Sequence, residues 1–375
     1  MLHRSDFLED VVRREQRFRI EKMLFEAGEY QIALASDVLM DDKLVCVKTI
    51  AYDTARVDNK KYVGMRRKAL HEELGFLSLP VHLLPEPLDW IQLEHSETAL
   101  PREPLLVYEY VHGETLYDLV QKRHPDGIAP TRALRIMREL CRFLGQIHQH
   151  KWVFRNLDPR HVIISYDDII HIVGCGNATP MGQPPNPTRA SMESPYAAPE
   201  IRGEVSGKLL RPSADIYSLG ALLSFMLTGE EPRASVENPL TQRAFESLSA
   251  CELPGLALLV ARCIQPMAKN RFGRAEKLLP FTEPSRLPRP TDEGFGLLQL
   301  PAPWTGAESP DNRATRSKLS AGPLLSEPGG QTQLEKAAPT AVEPAKEQGR
   351  DWFTIAAVAF LLAAMAFALL AFLIL

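Results

Sequence analysis

Charge of one sign is missing from this sequence: 43 Lys and Arg stand against 47 Asp and Glu, a formal net charge of −4 over 375 residues. Without a basic excess a general nucleic-acid binder is excluded, and no nucleic acid is expected among its partners. The five cysteines, Cys46, Cys141, Cys175, Cys251 and Cys263, include no CxxC pair and no metal-ligand spacing. Such usage suits thiols packed as small apolar residues in a reducing cytosol. The opening residues, MLHRSDFLEDVV, lack the continuous apolar core of a secretory signal, so the bulk of the chain is expected in the cytoplasm. Charge is absent altogether from residues 352–375, WFTIAAVAFLLAAMAFALLAFLIL. With no polar face this is not a half-buried core helix, and at ~1.5 Å per residue it is long enough for a ~30 Å hydrocarbon core. Lys346 and Arg350 flank its start and Trp352 suits the interface. Residues 351–375 therefore read as one C-terminal transmembrane helix, a tail anchor that makes the membrane a partner through 352–375.

What is present fills a sizeable core, with length enough for two lobes. Residues 1–17 are charged apart from Phe7, Leu8, Val11 and Val12, and read as a solvated leader or a short helix on the domain edge. Residues 18–35 read as two strands around a turn, residues 44–50 as a strand, and residues 61–80 as a helix. A long amphipathic helix carries Leu134, Met137, Cys141, Leu144 and Ile147 on one face. It leads into a proline-marked loop, FRNLDPRH, then β-rich runs at 162–165 and 169–173, then GCG. Residues 177–196 are rich in Pro, Ser and Thr and end in SPYAAPEI, followed by a strongly apolar helix closed by Gly229. From 284 to 350 hydrophobic periodicity disappears and a disordered linker is expected. One apolar clump there, GFGLLQLPAPW at 294–304, suits docking on a partner or on the domain's own surface.

Helix, loop, hairpin and irregular segment in that order resemble the catalytic centre of a protein kinase, in particular the bacterial Ser/Thr kinases that join a catalytic domain to a membrane span. The loop 154–161 is similar to the family's His-Arg-Asp-Leu-Lys-Pro-Glu-Asn motif, and GCG stands where the family has Asp-Phe-Gly. The resemblance implies an α+β, bilobal protein-kinase-like fold over 18–283, with a small β-rich N-lobe and a larger helical C-lobe. It puts Lys48 at the nucleotide-contacting Lys and Glu73 at its helix partner, with Glu72 the one-residue alternative. It puts Tyr108 at the gatekeeper. Ile32, Cys46 and Ile163 would sandwich an adenine, and the backbones of Glu109 and Val111 would face it. Arg155, Glu200, Asp215 and Arg271 fall on structural positions: Asp215 would hold the catalytic-loop backbone, and Glu200 would pair with Arg271. Arg155 would either grip a phosphate on Thr188, Ser191 or Ser194, or rest on backbone carbonyls.

The same alignment shows what the chemistry has lost. Asn156 replaces the catalytic Asp, Asp158 the Lys that reaches the transferred phosphate, His161 the metal-binding Asn and Gly174 the metal-binding Asp. Phosphoryl transfer rests on positioning and on charge neutralisation by metal, Lys and carboxylate. An amide cannot act as general base, a glycine holds no Mg²⁺, and imidazole is a poor ligand for a cation that wants oxygen. In the phosphate-covering flap, Phe25, Ala27 and Tyr30 occupy the glycine positions, with Gly28 beside them. The resemblance thus implies a degenerate kinase acting as signalling scaffold or switch among cytoplasmic signalling proteins, with no metal and with ATP or adenosine bound, if at all, weakly and without Mg²⁺. An atypical active kinase using Asp158 as base and an inert tethering domain are the alternatives.

Overall fold

Along Lys43–Ile50 (β4) and Arg102–Glu109 (β6) almost every side chain is buried, yet neighbours enter different cores. Val45, Val47, Leu105 and Val107 join Phe18, Ile20, Ala33 and Ala35 on one face. Cys46, Ile50, Leu106 and Tyr108 point into the larger core on the other. A period of two on a sheet covered on both sides gives that division. The computed structural model describes residues 7–10, 15–27, 30–52, 54–94, 102–184, 192–205 and 209–304.

The N-terminal lobe is an antiparallel sheet ordered β1-β2-β3-β4-β6-β5. Its other strands are Phe7–Asp10 (β1), Glu15–Ala27 (β2), Tyr30–Asp37 (β3) and Pro87–Glu94 (β5). Residues 7–10 therefore form an edge strand, where a short helix was one expectation: Leu8 faces Phe18 across the register and is buried with it. Pairing with β2 satisfies the backbone of these residues and buries Leu8 on the sheet. Arg17 on β2 reaches Asp37 on β3 at 2.6 Å and Asp89 on β5 at 2.9 Å.

Helix α1, Lys60–Leu77, starts where the Asn59 side chain accepts from the Tyr62 N–H. It buries Val63, Leu70, Phe76 and Leu77, and Arg67 ties it to the sheet through Glu103 at 2.8 Å. Burial raises the Glu103 carboxyl, against the pull of the Tyr52 hydroxyl and of Arg67.

In the C-terminal lobe Glu114–Thr115 (β7) precedes Leu116–Arg123 (α2) and Pro130–Gln149 (α3). Trp152–Val153 (β8), Val162–Ile164 (β9), Ile170–Ile172 (β10) and Thr179–Pro180 (β11) follow, pairing as β10-β9-β7 and β11-β8. Pro199–Arg202 (α4) leads to Ser213–Thr228 (α5), Gln242–Ser249 (α6) and Pro254–Cys263 (α7). Helix α5 is buried on all sides except at Leu227 and is the pillar of the lobe. It meets α7 so closely that a Cβ at Gly220 would lie 2.3 Å from that of Cys263.

The first stretch of the expected linker is ordered instead. Residues 284–304 lie along the C-lobe, with Phe295 only 4% exposed against Phe272 and Phe281 at 6.2 and 5.7 Å. The Trp304 N–H donates to Leu240 at 3.0 Å, and the Arg233 guanidinium stacks 3.5 Å from its ring. The apolar clump thus docks on the domain's own surface. Aromatic anchors suffice where no period exists, because each buries its area alone. The remainder of the expected linker and the expected membrane helix at 351–375 lie outside the described residues. Among the described residues no helix is long and apolar enough to cross a membrane.

Candidate functional site

Strand β4 carries Lys48 inward and α1 presents Glu73 to it. Nζ lies 2.8 and 2.7 Å from the two carboxylate oxygens, and both side chains are buried. Glu72 instead faces solvent and pairs with Lys68, so Glu73 is the partner. Two further groups close around the ammonium. The Tyr30 ring lies 4.1 Å from Nζ, a cation–π contact. A Cβ on Gly176 would come within 3.1 Å of both Nζ and the Glu73 carboxylate. Tyr30, anticipated only as a side chain crowding the flap, is therefore the lid of the lysine.

Around the expected adenine slot, Cys46 and Val111 are buried, while Ile32 and Ile163 are half-buried. Cys46 lies opposite Tyr108 in the β4–β6 register. Burial pushes the Cys46 thiol up to about 12, the hydrogen bond with Tyr108 opposing it, and burial likewise raises the Tyr108 hydroxyl. Both act as packed, uncharged walls. The Glu109 N–H is taken by Glu86 at 2.9 Å.

The loop after α3 is held by a buried carboxylate. Asp215 accepts from the N–H of Phe154 at 2.9 Å and of Arg155 at 2.8 Å, and meets His148 Nε2 at 2.9 Å. These bonds fix the left-handed turn at Arg155, φ 65°. Arg155 is buried and donates to the Thr179 hydroxyl at 2.9 Å; burial lowers its pKa, opposed by Asp215. Of its expected phosphate sites, Thr188 and Ser191 lie outside the described residues, and the Ser194 hydroxyl accepts from the Tyr196 N–H. Glu200 and Arg271 pair at 2.7 and 2.9 Å, with Arg271 also donating to Ser213, Gln265 and Pro266 carbonyls.

The four degenerate positions converge. The Asn156 amide donates to the Gly174 carbonyl at 2.7 Å, and His161 Nδ1 lies 3.0 Å from the Asn156 carbonyl. Gly174 has φ 77°, and a Cβ built on it would stand 2.8 Å from the His161 ring and 3.0 Å from the Asn156 amide nitrogen. Imidazole and amide together fill the space that a metal-binding carboxylate would need. Burial, chiefly, lowers the pKa of His161, with Lys48 and Arg160 acting the same way and Asp158 against them. Asp158 is turned aside: its Oδ1 accepts from the Arg160 N–H at 2.9 Å and from Nη1 at 3.4 Å. Arg160 in turn lies 3.9 Å over the Tyr117 ring and pairs with Glu231.

This donor set does not fit Mg²⁺. A hard cation wants oxygens in octahedral array. Here an imidazole and an amide N–H donor face a glycine. Among the described residues no cluster of three or more His, Cys, Asp or Glu could hold a metal.

The protein kinase domain profile matches residues 36–273. The chain is 30% identical over 223 residues to the serine/threonine-protein kinase PknB of Mycolicibacterium smegmatis, covering 58% of this chain and 33% of that protein. It is 27% identical over 224 residues to the serine/threonine-protein kinase PrkC of Bacillus subtilis, covering 58% and 31%. The chain thus spans about a third of the length of these curated relatives. The crystal structure of the Mycobacterium tuberculosis PknI kinase domain superposes with a TM-score of 0.52 at 17% identity, over 75% of this chain and 98% of that one. At that identity the likeness concerns the fold, which is the two-lobed one described above.

Proposed function

The chain belongs to the protein kinase domain family, and from that premise we propose that it is a pseudokinase, a signalling scaffold or switch held at a membrane by residues 352–375. One observation carries the proposal: His161 and Asn156 pack into the position that a Gly174 side chain would occupy. The loss is therefore built into the packing as well as into the residue types. A working site needs a base, metal oxygens, and a lysine that reaches phosphate while paired with its helix glutamate. Asn156 is an amide engaged to Gly174, and the Tyr30 ring covers Lys48. Asp158, the substitute base of the active-kinase alternative, has one carboxylate oxygen, Oδ1, held by Arg160.

The parts that hold the fold together are kept, which supports a scaffold. Lys48–Glu73 sets the helix against the sheet, Asp215 fixes the loop, and Glu200–Arg271 pins α4. A domain that keeps its shape while losing its reaction suits recognition by cytoplasmic signalling proteins. Nucleotide, if bound, sits by its base between Ile32, Cys46 and Ile163.

The test is transfer of labelled phosphate from ATP with Mg²⁺ or Mn²⁺, using the full-length protein in membranes. No transfer to itself or to generic substrates is expected. Robust transfer abolished by Asp158→Asn would replace this reading with the atypical kinase. Retention of the protein in the pellet after carbonate extraction tests the anchor, and recovery in the supernatant would remove it.

A further inference from the structure

A cavity of about 920 Å³ opens on the C-terminal lobe, and neither Lys48, Glu73 nor Tyr108 lines it. Its walls come from the end of α3, the segment entering α5 and the stretch 267–276. Met181, Val205, Leu209 and Met267 give it an apolar lining, and two of these are large side chains left in water: Leu209 is 48% and Met267 49% exposed. Lys151, Arg211, Lys269 and Arg274 also line it. All four are exposed, and none has an acidic partner among the described residues.

Two unpartnered polar atoms belong to the same lining. His148 is 5% exposed; its Nε2 is engaged with Asp215, while Nδ1 has no partner. Glu276 has one carboxylate oxygen weakly reached by Gln149 at 3.5 Å and the other buried without a partner. Buried polar atoms left unsatisfied are costly, and each calls for a partner such as a water, an ion or a ligand group. With Nε2 carrying the hydrogen toward Asp215, His148 Nδ1 and the free Glu276 oxygen both call for a donor.

We infer that this cavity is a docking site for an acidic peptide segment of a partner protein, with its apolar side chains in the Met181–Met267 cleft and its carboxylates on the basic rim. A peptide supplies all three requirements together: main-chain N–H donors for the two buried acceptors, apolar anchors for the walls, and negative charge for the four cations. An inorganic anion offers no apolar surface, and a lipid tail offers no donors. The inference gives the scaffold reading a partner chemistry and rests on it. Its test reads binding alone, so failure here leaves the proposed lack of phosphotransfer untouched.

The test is fluorescence anisotropy with full-length protein in neutral detergent micelles and a fluorescein-labelled Asp-Glu-Leu-Leu-Asp-Glu peptide. Binding is expected, weakening as salt rises from about 50 mM to about 500 mM, because exposed charges are screened. Lys269→Glu combined with Arg274→Glu should weaken it at least about tenfold, since each reversal replaces an attraction by a repulsion. Both residues are exposed, so the fold should survive; Arg135→Glu, outside the cavity, is the control and should leave binding unchanged. Three outcomes would overturn the inference: equal binding of Lys-Arg-Leu-Leu-Lys-Arg, equal binding of the acidic peptide with Ser for both Leu, or no effect of the double reversal. Equally tight capture of a labelled oligouridylate at the same residues would make the rim a general polyanion patch, and would overturn it too.

Discussion

The side-chain amide of Asn156 donates to the backbone carbonyl of Gly174 at 2.7 Å. In the aligned kinase pattern these two positions are carboxylates, one orienting the substrate and one holding metal. Here a neutral hydrogen bond joins them and brings the loop and the GCG turn into contact.

That contact makes repair of the site a packing problem. Gly174→Asp alone should lower the melting temperature, because its Cβ would meet the His161 ring at 2.8 Å. The left-handed backbone there, φ 77°, adds strain of its own, less for Asp than for most residues. His161→Asn removes most of the ring and should recover much of the loss in the double variant. A double-mutant cycle on thermal melts reads the coupling, expected at about 1–2 kcal/mol for residues in contact. Additive effects would mean that His161 does not crowd Gly174.

The Lys48–Glu73 pair should behave as a buried bridge. Glu73→Gln leaves an ammonium facing an amide in a closed site, a change that typically costs about 3–5 kcal/mol. For a domain of this size that is a fall of roughly 10 °C in melting temperature. Glu72→Gln on the same helix should change almost nothing, because Glu72 is exposed.

Nucleotide binding should depend on the base. The Tyr30 ring lies 4.1 Å from Nζ of Lys48 and limits the triphosphate's access to that cation. Adenosine and ATP should shift the melt by similar small amounts, and Mg²⁺ should add nothing. Tyr30→Ala uncovers Nζ and should favour ATP over adenosine. A large Mg²⁺-dependent shift in the wild type would mean that a metal site forms from other groups.

Acid should weaken the domain partly through His161. Burial lowers its pKa from the ordinary value near 6.5, so the unfolded chain takes up the proton more readily. The stability this group protects is present above about pH 6.5 and is lost as pH falls through the folded value. His161→Gln should therefore flatten the decline in melting temperature between about pH 6.5 and 5. An unchanged slope would place the acid sensitivity elsewhere.

The docked segment should matter unequally along its length. Phe295→Ala empties a site among Phe272, Phe281 and the Arg262 side chain, and large aromatic truncations cost about 3–5 kcal/mol when fully buried. Trp304 is 36% exposed and should cost less. The reverse order in thermal melts would contradict the packing.

Much of this was legible in the residues themselves. Lys48, Glu73, Asp215 and the Glu200–Arg271 pair sit at motif spacings, and the structure joins each to its anticipated partner. What the sequence withheld depends on direction and distant contact. Tyr30 was visible at a glycine position, but nothing local says that its ring turns onto Lys48. His161 was visible as a poor ligand, while its contact with Gly174 spans thirteen residues and a hairpin. Phe295 and Trp304 follow no period, so only their packing partners reveal them. The basic cavity assembles from four distant stretches and leaves no local pattern.

The docked segment also decides where tension would be felt. A pull from beyond Trp304 loads first the bond to Leu240 and the Arg233 stack, next the Ala302 carbonyl held by Asn238, and then Phe295 and the Gly294 carbonyl held by Arg262. The attachments would part in sequence, as a peel, each at low force. Release from Trp304 back to Phe295 yields roughly 30 Å of extended chain. The segment is thus a slack reserve: force arriving along the tail is spent on paying out chain before it reaches the helices.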